Sequence, residues 1–175
     1  MHSNMTPVDW AKRPLQKYAD FSGRAPRAEY WWYVLAIIIA YIVVSIVESI
    51  IGINHMVAGV YGPITTLLGV ATLVPSIAVA VRRLHDTNRS GWWILLPLVP
   101  YILGMVLGGA AMVGGAASGS AMGFGAGMGI AMIFMMIGAV CAIVLLVFYC
   151  LPGTPGDNRY GPNPYGAAGT AAPAE

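Results

Sequence analysis

The longest uncharged stretch of the sequence limits what the chain can fold into. Its apolar part, from Gly91 to Leu151, covers 61 residues without an Asp, Glu, Lys or Arg. A membrane-spanning helix needs about 20 apolar residues, so this stretch is too long for one span and long enough for two or three. Only 9% of the chain is charged and its mean hydropathy is +0.71, whereas soluble domains are roughly 25% charged. The sequence therefore predicts an integral membrane protein.

Four apolar segments predict four transmembrane helices. We place them at residues 31–53, 62–81, 91–109 and 129–151, which gives an all-α, polytopic, four-helix bundle. The first 30 residues are polar and lack the apolar run and cleavage site of a signal peptide, so we expect the first span to be retained. Residues 152–175 form a tail rich in Pro and Gly. The domain organisation is thus a polar segment (1–30), a membrane domain (31–151) and the tail.

The placement of basic residues predicts the orientation. Segments 54–61 and 108–128 contain no Lys or Arg. With four spans, every basic residue falls on one side of the membrane, which the positive-inside rule makes cytoplasmic. We therefore expect cytoplasmic termini, with 54–61 and 108–128 outside. The nine basic residues are Lys12, Arg13, Lys17, Arg24, Arg27, Arg82, Arg83, Arg89 and Arg159, and an aromatic belt at the same interface would comprise Trp31, Trp32, Trp92, Trp93 and Tyr149.

Residues 108–128 consist almost entirely of Gly, Ala, Ser and Met. Gly115, Gly119, Gly123 and Gly127 recur every fourth residue, which places small side chains on one helical face and permits close helix contact. One interpretation is a packing face on a fifth span or a re-entrant hairpin, which could also support a homo-oligomer. The other, which we favour here, is a low-complexity loop or a partial insertion on the outer surface.

Three polar motifs flank the apolar segments. They read FSGRAPRAEYWW (21–32), RRLHDTNRSGWW (82–93) and PGTPGDNRYGPNP (152–164). In this order they resemble the DUF805 family of small bacterial inner-membrane proteins. The resemblance implies a multi-pass protein of the bacterial inner membrane with four helices, cytoplasmic termini and no assigned biochemical activity. Segment 108–128 departs from the usual pattern of that family.

The predicted topology brings the three motifs to one membrane face, where we expect a cytoplasmic cap. Asp86 and Glu29 would pair with nearby arginines, whose planar guanidinium groups suit bidentate contacts. The tail would fold back and add Arg159 near Asp86 or Glu29, Asp157 near an arginine, and Tyr160 against the aromatic belt. Residues after Tyr165 are expected to be disordered. The full candidate set is Arg24, Arg27, Glu29, Arg82, Arg83, His85, Asp86, Asp157, Arg159 and Tyr160.

No pattern in the sequence predicts catalysis. His85 and Asp86 are adjacent, but metal-ligand and phosphate-binding motifs are missing, and the other histidines, His2 and His55, are remote. Cys141 and Cys150 lie nine residues apart, so they point to nearly opposite faces of one helix and we interpret them as apolar residues. We predict no enzyme, metal, cofactor or nucleic-acid partner. The bilayer is the expected partner, and arginines 24, 27, 82, 83 and 89 could also hold anionic headgroups.

Glu48 is the one acidic residue inside a predicted span. An ionisable group there is costly, by up to roughly 3 kcal/mol at the bilayer centre. It could serve an ion or proton relay, but we expect a carboxyl that reaches outward to the interface or stays protonated, and that is not essential to folding. The predicted function is a structural or interaction role in the inner membrane. The alternative is a small transporter, channel or lipid-handling component.

Overall fold

The computed structural model describes residues 5–53 and 62–164, and in these residues the chain is all-α apart from one isolated bridge between Asn158 and Gly161. Four helices are long and apolar enough to cross a membrane, as predicted. A short helix precedes them. The helices are α1 (Pro7–Gln16), α2 (Arg27–Ile50), α3 (Pro63–Asp86), α4 (Gly91–Ala117) and α5 (Ala121–Cys150).

The chain divides into two compact units. The first unit contains α1, α2, α3 and the tail, and the second, residues 90–151, contains α4 and α5. We call the second the hairpin unit. The predictions for segment 54–61 and for the residues after Tyr165 fall outside the described residues.

Helix α1 was not predicted, although its start carries a recognisable signal. The Thr6 hydroxyl accepts a hydrogen bond from the Asp9 amide at 3.2 Å, and the Asp9 carboxylate accepts one from the Thr6 amide at 3.0 Å. This reciprocal arrangement is a capping box, and Pro7 suits the first turn that follows. The Thr6 hydroxyl also donates to the Asp9 carboxylate at 2.7 Å, and this bond together with the one from the Thr6 amide lowers the pKa of Asp9.

Two spans extend past their predicted ends towards the charged motifs. Helix α2 begins at Arg27 rather than at residue 31, directly after Pro26, and α3 continues beyond residue 81 to Asp86. Hydropathy detects only the apolar part of a helix, so it stopped short of both ends. The extension places Arg83 and His85 in the last turn of α3, where positive charge is favourable because the helix dipole is negative there.

The expectation of an outer loop at residues 108–128 was wrong. Helix α4 continues to Ala117 and α5 starts at Ala121, so three residues connect them. Gly119 takes a left-handed conformation with φ of +67°, and the Ser120 hydroxyl accepts a hydrogen bond from the Gly123 amide at 3.1 Å. Segment 108–128 is therefore the turn-proximal half of a helical hairpin, and the spans 91–109 and 129–151 were predicted too short.

Backbone proximity holds the hairpin unit together. A Cβ atom added at Gly108 would lie 2.7 Å from the Ala131 Cβ, and one at Gly127 would lie 2.5 Å from the Met112 amide nitrogen. Real Cβ atoms do not approach so closely, so only glycine permits these contacts. A π-helical turn, Gly104–Gly108, interrupts α4 at this place. The glycine spacing thus serves packing inside the chain, and Gly119 belongs to the turn instead of the packing face.

Candidate functional site

Five charged side chains from the first two motifs are buried together in the first unit. Arg82 and Arg83 lie close to the C-terminal end of α3 and Asp86 ends that helix, while Glu29 occupies the first turn of α2. Arg24 precedes α2. We call these five residues, Arg24, Glu29, Arg82, Arg83 and Asp86, the polar cap; all are buried.

Asp86 is the centre of the polar cap. One carboxylate oxygen, Oδ1, accepts a hydrogen bond from the Arg24 Nε at 2.9 Å, and the other, Oδ2, accepts one from the Arg83 Nη1. All three side chains are at most 1% exposed. Buried charges are tolerated when they are paired and hydrogen-bonded, and Asp86 meets this condition with both of its oxygens.

Arg24 also fixes the tail. Its Nη1 donates to the Gly156 carbonyl at 2.6 Å and its Nη2 to the Thr154 carbonyl at 2.7 Å. The Thr154 amide donates in turn to the Asp86 carbonyl at 2.9 Å. A Cβ atom at Gly153 would overlap the Asp86 carboxylate, so the tail can approach only because this residue is glycine. The tail folds back onto the end of α3 through its backbone.

A second ion pair connects α2 and α3. Arg82 donates from Nη2 to the Glu29 Oε1 at 2.9 Å and from Nη1 to the Asp20 carbonyl at 3.1 Å. Arg13 of α1 approaches the other Glu29 oxygen at 3.7 Å. The Arg82 Nε has no hydrogen-bond partner among the described residues. The pair therefore ties α1, α2 and α3 to one another.

Asp20 anchors the loop that accepts the hydrogen bond from Arg82. Its Oδ1 accepts hydrogen bonds from the Ser22 hydroxyl at 2.5 Å and from the Ser22 amide at 3.0 Å. These two contacts lower the pKa of Asp20. The Asp20 carboxylate is therefore ionised at neutral pH and accepts both hydrogen bonds from Ser22.

His85 and Asp86 do not act as a pair. The carboxylate of Asp86 is taken by the two arginines, whereas the His85 Nδ1 lies 3.2 Å from the Gly23 carbonyl oxygen. The His85 ring stacks on Tyr160, with ring centroids 3.8 Å apart and planes within 2°. The Asn158 side-chain amide donates to the His85 carbonyl at 2.9 Å. His85 thus serves as a platform for the tail.

The remaining predicted cap residues lie at the edge and make other contacts than expected. Arg159 donates to the Asn88 carbonyl at 3.1 Å, not to Asp86 or Glu29. Asp157 accepts from the Asn163 amide at 2.9 Å within the tail, not from an arginine. Tyr160 stacks on His85 instead of on the aromatic belt, and Arg27 is exposed. The tail was expected to dock through ion pairs, but it is held by its backbone carbonyls, the Asn158 amide, the Tyr160 ring and a hydrogen bond from Arg159 to a carbonyl.

The Glu48 carboxylate is buried and accepts hydrogen bonds from within the chain. It is 1% exposed, and its Oε1 accepts hydrogen bonds from the amides of Ile64 at 2.5 Å and Thr65 at 3.1 Å, while its Oε2 accepts one from the Thr65 hydroxyl at 2.5 Å. These amides begin α3, whose N-cap residue is Gly62 and has no side chain to cap them. A Cβ atom at Gly62 would overlap the Glu48 carboxylate. Glu48 therefore caps α3 from α2, a role that the sequence analysis did not predict.

Two tyrosine hydroxyls form hydrogen bonds with α3 close to a proline in the middle of that helix. Pro75 has no amide hydrogen, which leaves the carbonyl of Ala71 without its helical donor. The Tyr18 hydroxyl donates to that carbonyl at 2.6 Å. Tyr33 of α2 forms a hydrogen bond with the Ser76 hydroxyl at 3.0 Å. The interface of α2 and α3 thus carries polar contacts from Glu29 to Glu48, of which the sequence predicted only the pairing of Glu29 with an arginine.

Among the described residues, no group of three or more His, Cys, Asp or Glu side chains is placed to hold a metal ion. Cys141 and Cys150 are free cysteines. Apart from the Arg82 Nε, the side chains of the polar cap pair with one another and with backbone carbonyls of the same chain.

Comparison with known proteins identifies the family. A family model described as "Protein of unknown function (DUF805)" matches residues 18–162, which include the first two motifs and all but the last two residues of the third. This chain belongs to the DUF805 family. The polar cap of this DUF805 protein lies entirely within the matched range, whereas α1 begins before it.

Two relatives from Escherichia coli strain K12 match over nearly their full lengths. Inner membrane protein YhaH is 34% identical over 157 residues, covering 90% of this chain and 97% of YhaH. Inner membrane protein YhaI is 35% identical over 158 residues, covering 90% of this chain and 96% of YhaI. The uncharacterized protein YiiR is 32% identical over 53% of this chain and 54% of its own length. No solved structure matches. The DUF805 protein is thus a multi-pass protein of the bacterial inner membrane.

Proposed function

We propose that this DUF805 protein has a structural or interaction role in the inner membrane and is not an enzyme. One observation carries the proposal: the charged residues of its motifs face one another instead of a cavity. Arg24, Arg82 and Arg83 are buried and donate hydrogen bonds to acidic side chains and backbone carbonyls of the same chain. Such a cluster supports a fixed shape rather than turnover of a ligand.

The exposed surface of the spans is the part available to partners. Of the 18 most apolar consecutive residues of α2, 11% are buried. Side chains such as Ile42 and Ile46 are about half exposed. In the membrane these residues face lipid, a partner protein or a second copy. Self-association through the glycine spacing is not favoured, because Gly108, Gly115 and Gly127 contact the opposite helix of the hairpin. An oligomer, if formed, would use other faces.

Site-specific photo-crosslinking in cells tests the interaction role. A crosslinking amino acid at Ile42 or Ile46 should give protein adducts of discrete mass, whereas the same label at buried Tyr33 should not. Adducts at twice the mass of the chain would identify self-association. If the exposed positions yield lipid adducts alone, the interaction role is refuted.

The proposed orientation places both termini in the cytoplasm, since every basic residue falls in the N-terminal segment, around the α3–α4 connection or in the tail. In a variant without native cysteines, Ser118→Cys in the turn of the hairpin should react with an impermeant maleimide added outside intact spheroplasts. Pro155→Cys in the tail should react only after lysis. Labelling of Pro155→Cys from outside would overturn the orientation.

A small transporter or channel is the second candidate, favoured by the polar contacts along α2 and α3. A groove of about 600 Å3 beside Tyr41, Thr65 and Thr66 lies next to the Glu48 carboxylate. Proteoliposomes carrying an imposed membrane potential and an internal pH dye measure proton entry. A flux above that of empty liposomes, lost in Glu48→Gln but retained in Asp157→Asn, would favour this candidate over a structural role.

We also propose that the protein has no nucleic-acid partner. Contact with anionic lipid headgroups is a further part of the proposal. Arg24, Arg82 and Arg83 were among the predicted headgroup ligands, but the polar cap takes up their side chains. Contact with anionic lipid would therefore use basic residues outside the cap.

A further inference from the structure

We propose that a groove between α1 and α2 binds an anionic phospholipid, with an acyl chain against α2 and the phosphate at Lys12. The groove has a volume of about 350 Å3 and is lined by apolar residues of both helices, with Lys12 as its one charged residue among those described. Lipid binding in this groove would be a role beyond the proposed structural one. It depends on the membrane position of α2 and not on the polar cap.

The apolar side of α1 lines the groove beside α2 and is left uncovered there. Pro14 is buried and Arg13 approaches Glu29, so these residues mark the protein-facing side. Val8, Ala11 and Leu15 follow one another at helical spacing on another side, and Val8 and Leu15 are about half exposed. A helix that leaves such a face uncovered is typical of one lying in the membrane interface.

The contact made by Tyr18 shows that α1 lies beside the spans. Its hydroxyl bonds the carbonyl of Ala71, which is fifteen residues before the end of α3 at Asp86 and hence about 22 Å away along that helix. Tyr18 comes two residues after the end of α1. The C-terminal end of α1 is therefore close to the membrane-spanning part of α3.

The wall of the groove formed by α2 belongs to a membrane span. Trp32, Leu35 and Ile39 line it, and all three are partly or largely exposed side chains of the segment that crosses the bilayer. In the membrane, the hydrocarbon chains of lipids would cover these side chains. An acyl chain that runs along these residues would also contact Val8 and Leu15 of α1.

The charge at the groove favours an anionic headgroup. Lys12 is exposed and lines the groove, and lysine side chains reach the headgroup level while their carbon chains stay on apolar surface. Asp9 is the acid nearby on α1, and its carboxylate already accepts two hydrogen bonds from Thr6. One cation beside an apolar groove at the interface matches a phospholipid with a net negative headgroup.

Native mass spectrometry of the full chain, released from detergent with added lipid, tests this site. The probes are phosphatidylglycerol and phosphatidylcholine with the same acyl chains. The wild type should retain phosphatidylglycerol in preference. Lys12→Gln should weaken that preference by about fivefold, the factor for roughly 1 kcal/mol from one lysine near an anionic surface. Ala36→Phe, which fills the groove, should reduce the binding of both lipids.

Lys17→Gln is the matched control, because it removes the same charge from the same segment but Lys17 pairs with Asp20 at 3.8 Å and does not line the groove. It should keep the preference. Equal losses in the two lysine variants would show a general surface-charge effect and overturn the site. An unchanged preference in Lys12→Gln, or unchanged lipid retention in Ala36→Phe, would overturn it as well. Circular dichroism checks that each variant is folded.

Discussion

The two units of this protein use opposite means to bring helices together. In the first unit, long polar side chains join helices and tail: Arg24 alone connects Asp86 with two carbonyls of the tail. In the hairpin unit, side chains are absent at the decisive places, and the backbones of α4 and α5 touch at Gly108 and Gly127. The first unit should therefore be sensitive to lost charge partners, and the hairpin unit to added volume.

The comparison reflects what the membrane permits. Lipid tails are as apolar as leucine, so burial of apolar side chains does not bring helices together there, while close packing and hydrogen bonds do. Glycine gives close packing without a polar group, and the hairpin can therefore remain uncharged over its whole length. Charged clusters need many partners, and the first unit draws them from α1, α2, α3 and the tail.

The largest expected effect is on the polar cap. Asp86→Ala leaves Arg24 and Arg83 buried without their carboxylate, and removal of one partner from a buried ion pair costs about 3–5 kcal/mol. The free energy of unfolding, measured by SDS titration in mixed micelles, should fall by that amount. Asp157→Ala is the matched control, because Asp157 is exposed and its carboxylate accepts a hydrogen bond from the Asn163 amide within the tail. Equal stability of the two variants would refute a charge-dependent first unit.

Added volume should have its effect in the hairpin unit. Gly127→Ala places a Cβ atom 2.5 Å from the Met112 amide nitrogen and 2.8 Å from the Gly108 carbonyl oxygen. The helices must separate, which should cost about 1–3 kcal/mol. Gly125→Ala adds the same methyl group on α5 where no atom lies within 4 Å, and should be neutral or stabilising, since alanine favours helix. A similar melting temperature for both variants would contradict packing through Gly127.

Glu48 should matter for stability, contrary to the expectation from sequence. Glu48→Gln keeps one acceptor oxygen for the amides of α3 and loses the carboxylate that accepts from the Thr65 hydroxyl, so we expect a loss of about 1–2 kcal/mol. Glu48→Leu removes every acceptor and should be worse. Thermal unfolding followed by circular dichroism measures both. A Leu variant as stable as the wild type would show that α3 needs no cap from α2.

The smallest expected effect concerns Tyr18 and comes from a double-mutant cycle. Tyr18→Phe removes one hydrogen bond to the Ala71 carbonyl and should cost about 1 kcal/mol. In a Pro75→Ala background residue 75 regains an amide hydrogen that can bond Ala71, so the same change should cost close to nothing. SDS titration of the four proteins gives the coupling energy. Equal costs in both backgrounds would show that the contribution of Tyr18 to stability does not depend on Pro75.

The sequence by itself determined the class of the protein and the number of its spans. Apolar runs of about 20 residues have few alternatives to membrane helices, because backbone groups in lipid must be satisfied within the helix. It also identified the residues of the polar cap, since charged side chains beside spans are rare enough to stand out. The ends of the helices were harder to predict from the sequence. A loop was expected at 108–128, because small residues fit a loop and a close-packed helix equally well.

Only the tertiary structure decided which partner each polar group has. Arg159 and Asp157 were assigned to charges by sign, but Arg24 meets the tail through carbonyls that every residue possesses. Glu48 caps a helix sixteen residues later because Gly62 leaves room for its carboxylate. Such contacts depend on distances between helices, and no local pattern of residue types encodes them.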